Sequence, residues 1–285
     1  MSEAIDRRCY VLPDNMLIDA AISGGNWTAS PDNLTIGNLV QDVARCSTGL
    51  LADATFTASW GGKARTIGAV TLIGYTGPAA GRVRLIFSRG GVEVLRTRWD
   101  WLWPRIAKTA DLTTDHPGWL TGRPAAKERA LYTHIWLWTP PARLRADAMT
   151  VEIDARGGSF DLSYCFAAGL HRPAWPMGWG RRLDQTDATP QATTLGGMVI
   201  TGARLPAQRS QAVTFHELTK TEAMRWLDIS RGRRAIEPVL FVPDPGDPAN
   251  WMREVFLATF DGLLGFEEKD VDRYEVGVKF KEIIA

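Results

Sequence analysis

Alternation bounded by glycine constrains this chain more than any other feature. Residues Arg82 to Phe87 and Val92 to Trp99 alternate in polarity and are joined by Ser88-Arg89-Gly90-Gly91. A period of two describes a strand with one buried face, and the glycine pair supplies the positive φ that a tight hairpin needs. Thr150 to Ala155 and Ser159 to Phe166 repeat the arrangement across Arg156-Gly157-Gly158, with Val151, Ile153, Phe160, Leu162 and Tyr164 able to share a side. A second hairpin is therefore predicted. Thr66 to Tyr75 is an apolar run broken by Gly68 and Gly74, which reads as a buried strand. Thr133 to Thr139 reads as a strand dense in aromatics that stops at Pro140-Pro141, because proline cannot donate to a ladder. Short strands between glycine-rich turns predict a mainly β chain with an N-terminal β-sandwich or jelly roll over residues 1–172.

Asp100 to Arg129 interrupts this pattern with Pro104, Pro117, Gly118 and Pro124, so an insertion loop is expected, with a short helix near Ala125 to Ala130. Residues 173–197 change to Pro, Gly, Thr, Asp and Gln and are expected to be a linker or extended arm. Residues 198–285 predict a C-terminal β-domain with one short α-helix. Ala212 to Leu218 alternates as a strand, and Thr219-Lys220-Thr221-Glu222 is a capping box that starts the helix. Ala223, Met224, Trp226 and Leu227 give that helix an apolar face, and Gly232 is the expected stop. Strands are expected at Ile236 to Val242, Arg253 to Phe260 and Asp272 to Ile283, the last with Tyr274, Val276, Val278 and Phe280 on one face.

Composition narrows the function classes. A formal net charge of +1 at pH 7 provides no general pull toward nucleic acid or an anionic membrane. The first ten residues lack the basic-then-apolar order of a secretory signal, and no apolar run reaches the roughly 18 residues of a membrane span. Cys9, Cys46 and Cys165 are odd in number and far apart, which argues against a disulfide framework or a metal site and for buried thiols. Tryptophan is abundant, with 12 residues against 5 Tyr. Indoles bury much area at low entropy cost and serve either a sandwich core or a subunit interface.

Catalytic signatures are missing from the sequence. None of His116, His134, His171 and His216 stands in a motif with a nucleophile, and neither a nucleophile elbow nor a phosphate loop is present. Asp100 with Asp111 and Asp115, or Glu267 with Glu268, supply carboxylates that read more simply as solvated charge. Three prolines weaken a calcium-loop reading of Asp244 and Asp247, and Arg231, Arg233 and Arg234 suit a helix C-terminus. The expectation is a non-enzymatic protein with no cofactor and no metal.

Two stretches resemble known families. Leu34 to Phe87, with Gly-Gly-Lys-Ala-Arg-Thr-Ile-Gly-Ala-Val-Thr-Leu-Ile-Gly leading to Gly81-Arg82-Val83-Arg84-Leu85, is similar to discoidin-like, galactose-binding-type jelly rolls in structural proteins of tailed bacteriophages. Ala212 to Ile284 resembles the tail-tube-like β-domain of phage distal tail proteins. The resemblance implies a virion component at the tail tip or baseplate, assembled in the host bacterial cytoplasm as a homo-oligomeric ring. Its implied partners are tail-tube, hub, receptor-binding or fibre proteins, with no nucleic acid and no membrane insertion. Interface residues on this reading are Trp175, Trp179, Arg181 and Arg182 of the arm and Tyr274, Val276, Val278 and Phe280 of the last strand, whose sheet would continue across subunits by edge pairing. The galactose-binding jelly roll implies an alternative: a carbohydrate-binding module recognising host-surface glycans through Trp99, Trp101, Trp119 or Trp136.

Overall fold

A computed structural model describes residues 9–35, 42–105, 122–129, 133–173, 177–178, 180–186, 189, 191–193, 197–202, 207–233 and 237–283. The chain is mainly β and divides into two compact units. Unit one takes Met1–Arg172 and Leu240–Phe256, and unit two takes Pro173–Val239 and Leu257–Ile284.

Unit one is a jelly-roll sandwich. Its first sheet runs β2 (Ala21–Ser23), β4 (Thr55–Ser59), β12 (Ala148–Asp154), β7 (Arg82–Arg89) and β8 (Val92–Arg96), with β9 (Asp100–Trp101) also on β7. The second runs β10 (Ile135–Trp138), β6 (Ala69–Ile73) and β14 (Tyr164–Ala168). Two-stranded ladders join β11 (Leu144–Ala146) to β5 (Arg65–Ile67) and β13 (Phe160–Leu162) to β3 (Ala44–Cys46). β1 (Tyr10–Leu12) pairs with residues 240–242 of β19 (Val239–Val242). Strict alternation in β4, β7 and β12 turns Phe56, Ala58, Val83, Leu85, Phe87, Met149, Val151 and Ile153 inward. They share one core with Val70, Leu72, Trp136, Cys165 and Ala167 of the opposite sheet. Each fully buried side chain of this size contributes roughly 1.5–3 kcal/mol. β6 and β14 are buried on both faces, which is why their sequences read as near-continuous apolar runs.

The first predicted hairpin forms, with Gly90 and Gly91 at φ of 59° and 76° between β7 and β8. The second does not. β4 and β7 already occupy both edges of β12, so the chain leaves the Arg156-Gly157 turn for the ladder with β3, and Phe160 pairs with Cys46. Val151, Ile153, Phe160 and Leu162 do meet in one core, but from two layers. The expected loop helix is α1 (Ala126–Arg129).

Unit two carries the order β15 (Arg182–Thr186), β18 (Gln208–Leu218), β22 (Arg273–Glu282) and β20 (Phe256–Phe260), β20 pairing through residues 258–260. β21 (Glu267–Asp270) also pairs with β22, and β16 (Gln191–Thr193) pairs with β17 (Val199–Thr201). The capping box forms: the Thr219 amide donates to Glu222 Oε2 at 3.1 Å and the Glu222 amide to Thr219 Oγ1 at 3.3 Å, opening α2 (Lys220–Arg233). Trp226 stacks on Phe215 at 4.7 Å, whereas Met224, placed on the apolar face by sequence, is exposed. β18 and β22 are tied by the buried pair Arg209–Glu282, with Nε to Oε2 at 2.9 Å.

Two boundaries differ from the sequence reading. The expected arm 173–197 holds β15 and β16, so part of it is sheet, because Arg182 to Thr186 finds an open edge on β18. Residues 240–256 return to unit one, where α3 (Trp251–Glu254), which takes up the first two residues of the strand expected over Arg253 to Phe260, brings Met252 into the sandwich core.

Candidate functional site

The outward face of the first sheet of unit one holds the most chemically organised surface. Because β7 alternates, Arg82 and Arg84 face away from the core while Val83 and Leu85 fill it. Antiparallel register sets Arg84 opposite Glu152 and Arg82 opposite Asp154 on β12. Arg84 Nε donates to Glu152 Oε2 at 2.6 Å, and Arg82 Nη2 to Asp154 Oδ2 at 3.0 Å. On the other side of β7, Trp101 of β9 stands opposite Arg82, with its ring centroid 5.6 Å from the guanidinium carbon. The Trp99 ring lies 4.6 Å from the Arg84 guanidinium carbon and 5.7 Å from that of Arg82. Two rows result, Trp101–Arg82–Asp154 and Trp99–Arg84–Glu152. Each sets an indole, a cation and a carboxylate side by side. Cation–indole contacts of this kind contribute about 0.5–1 kcal/mol at exposed sites.

Polar groups, Asp100 at the surface and His134 and Arg123 buried, hold the indoles in place. Asp100 accepts from the Trp101 amide at 2.8 Å and from Trp136 Nε1 at 2.9 Å, which ties β9 to the core. Leu102 donates to Gly81 O at 3.0 Å, and its carbonyl meets His134 Nε2 at 2.8 Å. His134 Nδ1 accepts from the Tyr75 amide at 3.2 Å, so Nε2 carries the proton. Burial holds this imidazole well below its ordinary pKa, at about 4, against a smaller opposing effect of the Leu102 carbonyl. Arg123 is buried, donates to Ala79 O at 3.2 Å and sits 3.5 Å from the Trp101 centroid. Burial, with the charge of Arg105, lowers its pKa. Asp154 is pushed up by partial burial, but the bonds from Arg82 and the Arg156 amide, with both guanidinium charges, outweigh this and leave it low.

The candidates named from sequence are placed unevenly. Trp101 is 36% exposed, Trp99 is half-buried, and both belong to the rows. Trp136 is 2% exposed, so a glycan cannot reach it: its position on β10 turns it into the core, where it supports β9. Trp119, Trp175 and Trp179 lie outside the described residues. Tyr274, Val276, Val278 and Phe280 are buried, on a strand flanked by β18 on one side and by β20 and β21 on the other. Their side chains turn inward within this chain; alternation identifies a buried face without saying what buries it. Arg181 is half-buried, and Arg182 is exposed and pairs with Asp184 at 2.8 Å.

His216 bonds Glu275 at 2.9 Å on the surface of unit two, His171 is buried, and His116, Asp111 and Asp115 lie outside the described residues. Asp244 and Asp247 close their own loop, accepting from the Gly246 amide at 2.8 Å and from Asn250 Nδ2 at 2.7 Å. Among the described residues no group of three or more His, Cys, Asp or Glu is placed to hold a metal ion. Sequence reading missed Arg82, Arg84, Arg123, Glu152 and Asp154. The alternation that faces Arg82 and Arg84 outward was visible, but their partners were not, because β12 was paired with the wrong strand.

No protein-family model matches the chain, and no curated protein matches it in sequence. Among solved structures it is similar to the family 32 carbohydrate-binding module from C. perfringens NanJ in complex with galactose, at 14% identity and a TM-score of 0.38 over 56% of this chain and 99% of that one. It is also similar to the lectin domain of lectinolysin complexed with Lewis B antigen, at 14% identity and a TM-score of 0.36 over 56% and 98%. A fucose-binding module from Streptococcus pneumoniae aligns at 11% identity with a TM-score of 0.34 over 54% and 95%. None of these structures is a phage tail or baseplate protein.

Proposed function

We propose that this chain is a non-catalytic recognition protein and that unit one binds glycans through the outward face of its first sheet. The observation that carries this reading is the pair of half-exposed indoles, Trp99 and Trp101, set beside guanidinium–carboxylate pairs. Sugar rings present apolar C–H faces and a rim of hydroxyls, so an accessible indole framed by donors and acceptors is the surface that suits them. The tail-tip ring drew its interface from the arm residues Trp175, Trp179, Arg181 and Arg182 and from β22, whose apolar side chains are interior to this chain, and glycan recognition is the reading that the half-exposed indoles favour.

The test is retention of the purified chain on a broad glycan array, with tryptophan fluorescence in parallel. Binding that quenches emission, and that Trp101→Ala removes while the melting profile is kept, is the expected result. An array with no retained glycan at any protein concentration defeats the proposal.

A further inference from the structure

The charge pattern of the two rows carries the reading from glycans in general to a ligand class. We infer that the face takes an extended, uncharged oligosaccharide rich in vicinal diols and lying along both rows; this rests on the glycan-binding reading above.

The guanidinium and carboxylate charges within the two rows are matched pair by pair. Arg84 is matched by Glu152, and Arg82 by Asp154, which also lies 3.5 Å from Arg156 Nε. Arg96 is matched by Glu93 at 2.6 Å. Asp100 is taken up by Trp136 Nε1 and the Trp101 amide, and Arg123 is buried against the Trp101 ring. An anionic sugar laid on the rows would meet Glu152 and Asp154 as closely as Arg82 and Arg84, so attraction and repulsion would cancel. A neutral diol meets no such conflict. One of its hydroxyls accepts from the guanidinium while its neighbour donates to the adjacent carboxylate, so each pair keeps its own bond and adds two charge-assisted ones. The pairs remain reachable, with side chains 17–28% exposed.

Length follows from strand geometry. Residues two apart on a strand stand about 6.6–6.8 Å from each other, so Arg82 with Trp101 and Arg84 with Trp99 form two stations farther apart than one ring can bridge. A single sugar occupies one row, and a chain is needed to engage both.

The experiment is calorimetric titration of the full chain with neutral hexose oligosaccharides of increasing length, and with uronic-acid oligosaccharides of matched length, at low and high salt. The expected result is affinity that rises by about tenfold or more from monosaccharide to a chain covering both rows, then levels off and barely changes with salt. Glu152→Gln and Trp99→Phe, two substitutions that conserve shape, are expected to lower affinity for the long neutral ligand by severalfold. Tight, salt-sensitive binding of the acidic series alone overturns this inference while leaving glycan recognition in place. So does neutral binding that ignores chain length and both substitutions, which would place the site elsewhere on the unit. Failure of both series, together with an empty array, removes the underlying reading as well.

Discussion

His134 shows how much of this site is decided by single buried groups. Its ring is 2% exposed, bonded on one side to the Tyr75 amide and on the other to the Leu102 carbonyl, one residue from Trp101. A proton on Nδ1 would displace the Tyr75 bond and leave a charge in the core. With a folded pKa of about 4 against 6.5 for the free side chain, the unfolded chain takes up the proton first as pH falls. The stability supported by neutral His134 is therefore complete above about pH 6.5 and declines toward pH 4, by about 3 kcal/mol in total. Melting temperatures between these limits should fall more steeply for the natural chain than for His134→Gln, whose lower overall stability should vary less with pH. Parallel curves would show that His134 does not carry this dependence. The ion pairs of the rows behave differently: they are part-exposed, so breaking one should cost at most about 1 kcal/mol of stability while still disturbing the ligand surface.

Elements differ in how far local sequence determines them. α2 is announced by its capping box, and Thr219→Ala should cost about 1 kcal/mol, read as a lower denaturation midpoint with an unchanged slope. An unchanged midpoint would mean that packing of Trp226 on Phe215, not the cap, fixes the helix start. The loop before β4 depends on a contact remote in sequence. Gly49 has φ of +58°, and a Cβ there would lie 2.0 Å from Gly158 O. Gly49→Ala should therefore cost roughly 2 kcal/mol or more, because backbone must move. The same distinction explains what was legible. The β7–β8 hairpin, the doubly buried β6, the capping box and the alternation of β22 are local patterns and were readable. The pairing of β12 with β4 and β7 is not local: alternation states which way Glu152 and Asp154 face, but not which strand lies beside them, so the Trp–Arg–carboxylate rows stayed hidden. Trp136 failed as a contact for a related reason, since an aromatic on a strand can face a core or a ligand equally well.

At the scale of the whole molecule, the two units are interleaved in sequence. A cut after Arg172 matches the composition change but strips unit one of residues 240–256, and with them the partner of β1 and the core residue Met252. A fragment of residues 1–172 should consequently be poorly soluble or melt well below the same fragment joined to residues 240–256 through a flexible linker. Equal melting of the two would show that the returning segment is dispensable. The measurement that bears most directly on the central claim is the set of indole N–H resonances of the full chain, with Trp99, Trp101 and Trp136 assigned by single substitution, followed during addition of a neutral oligosaccharide. The account expects the Trp99 and Trp101 signals to shift together and saturate while the Trp136 signal moves little. Saturable binding that leaves both unmoved and shifts other indoles would contradict it.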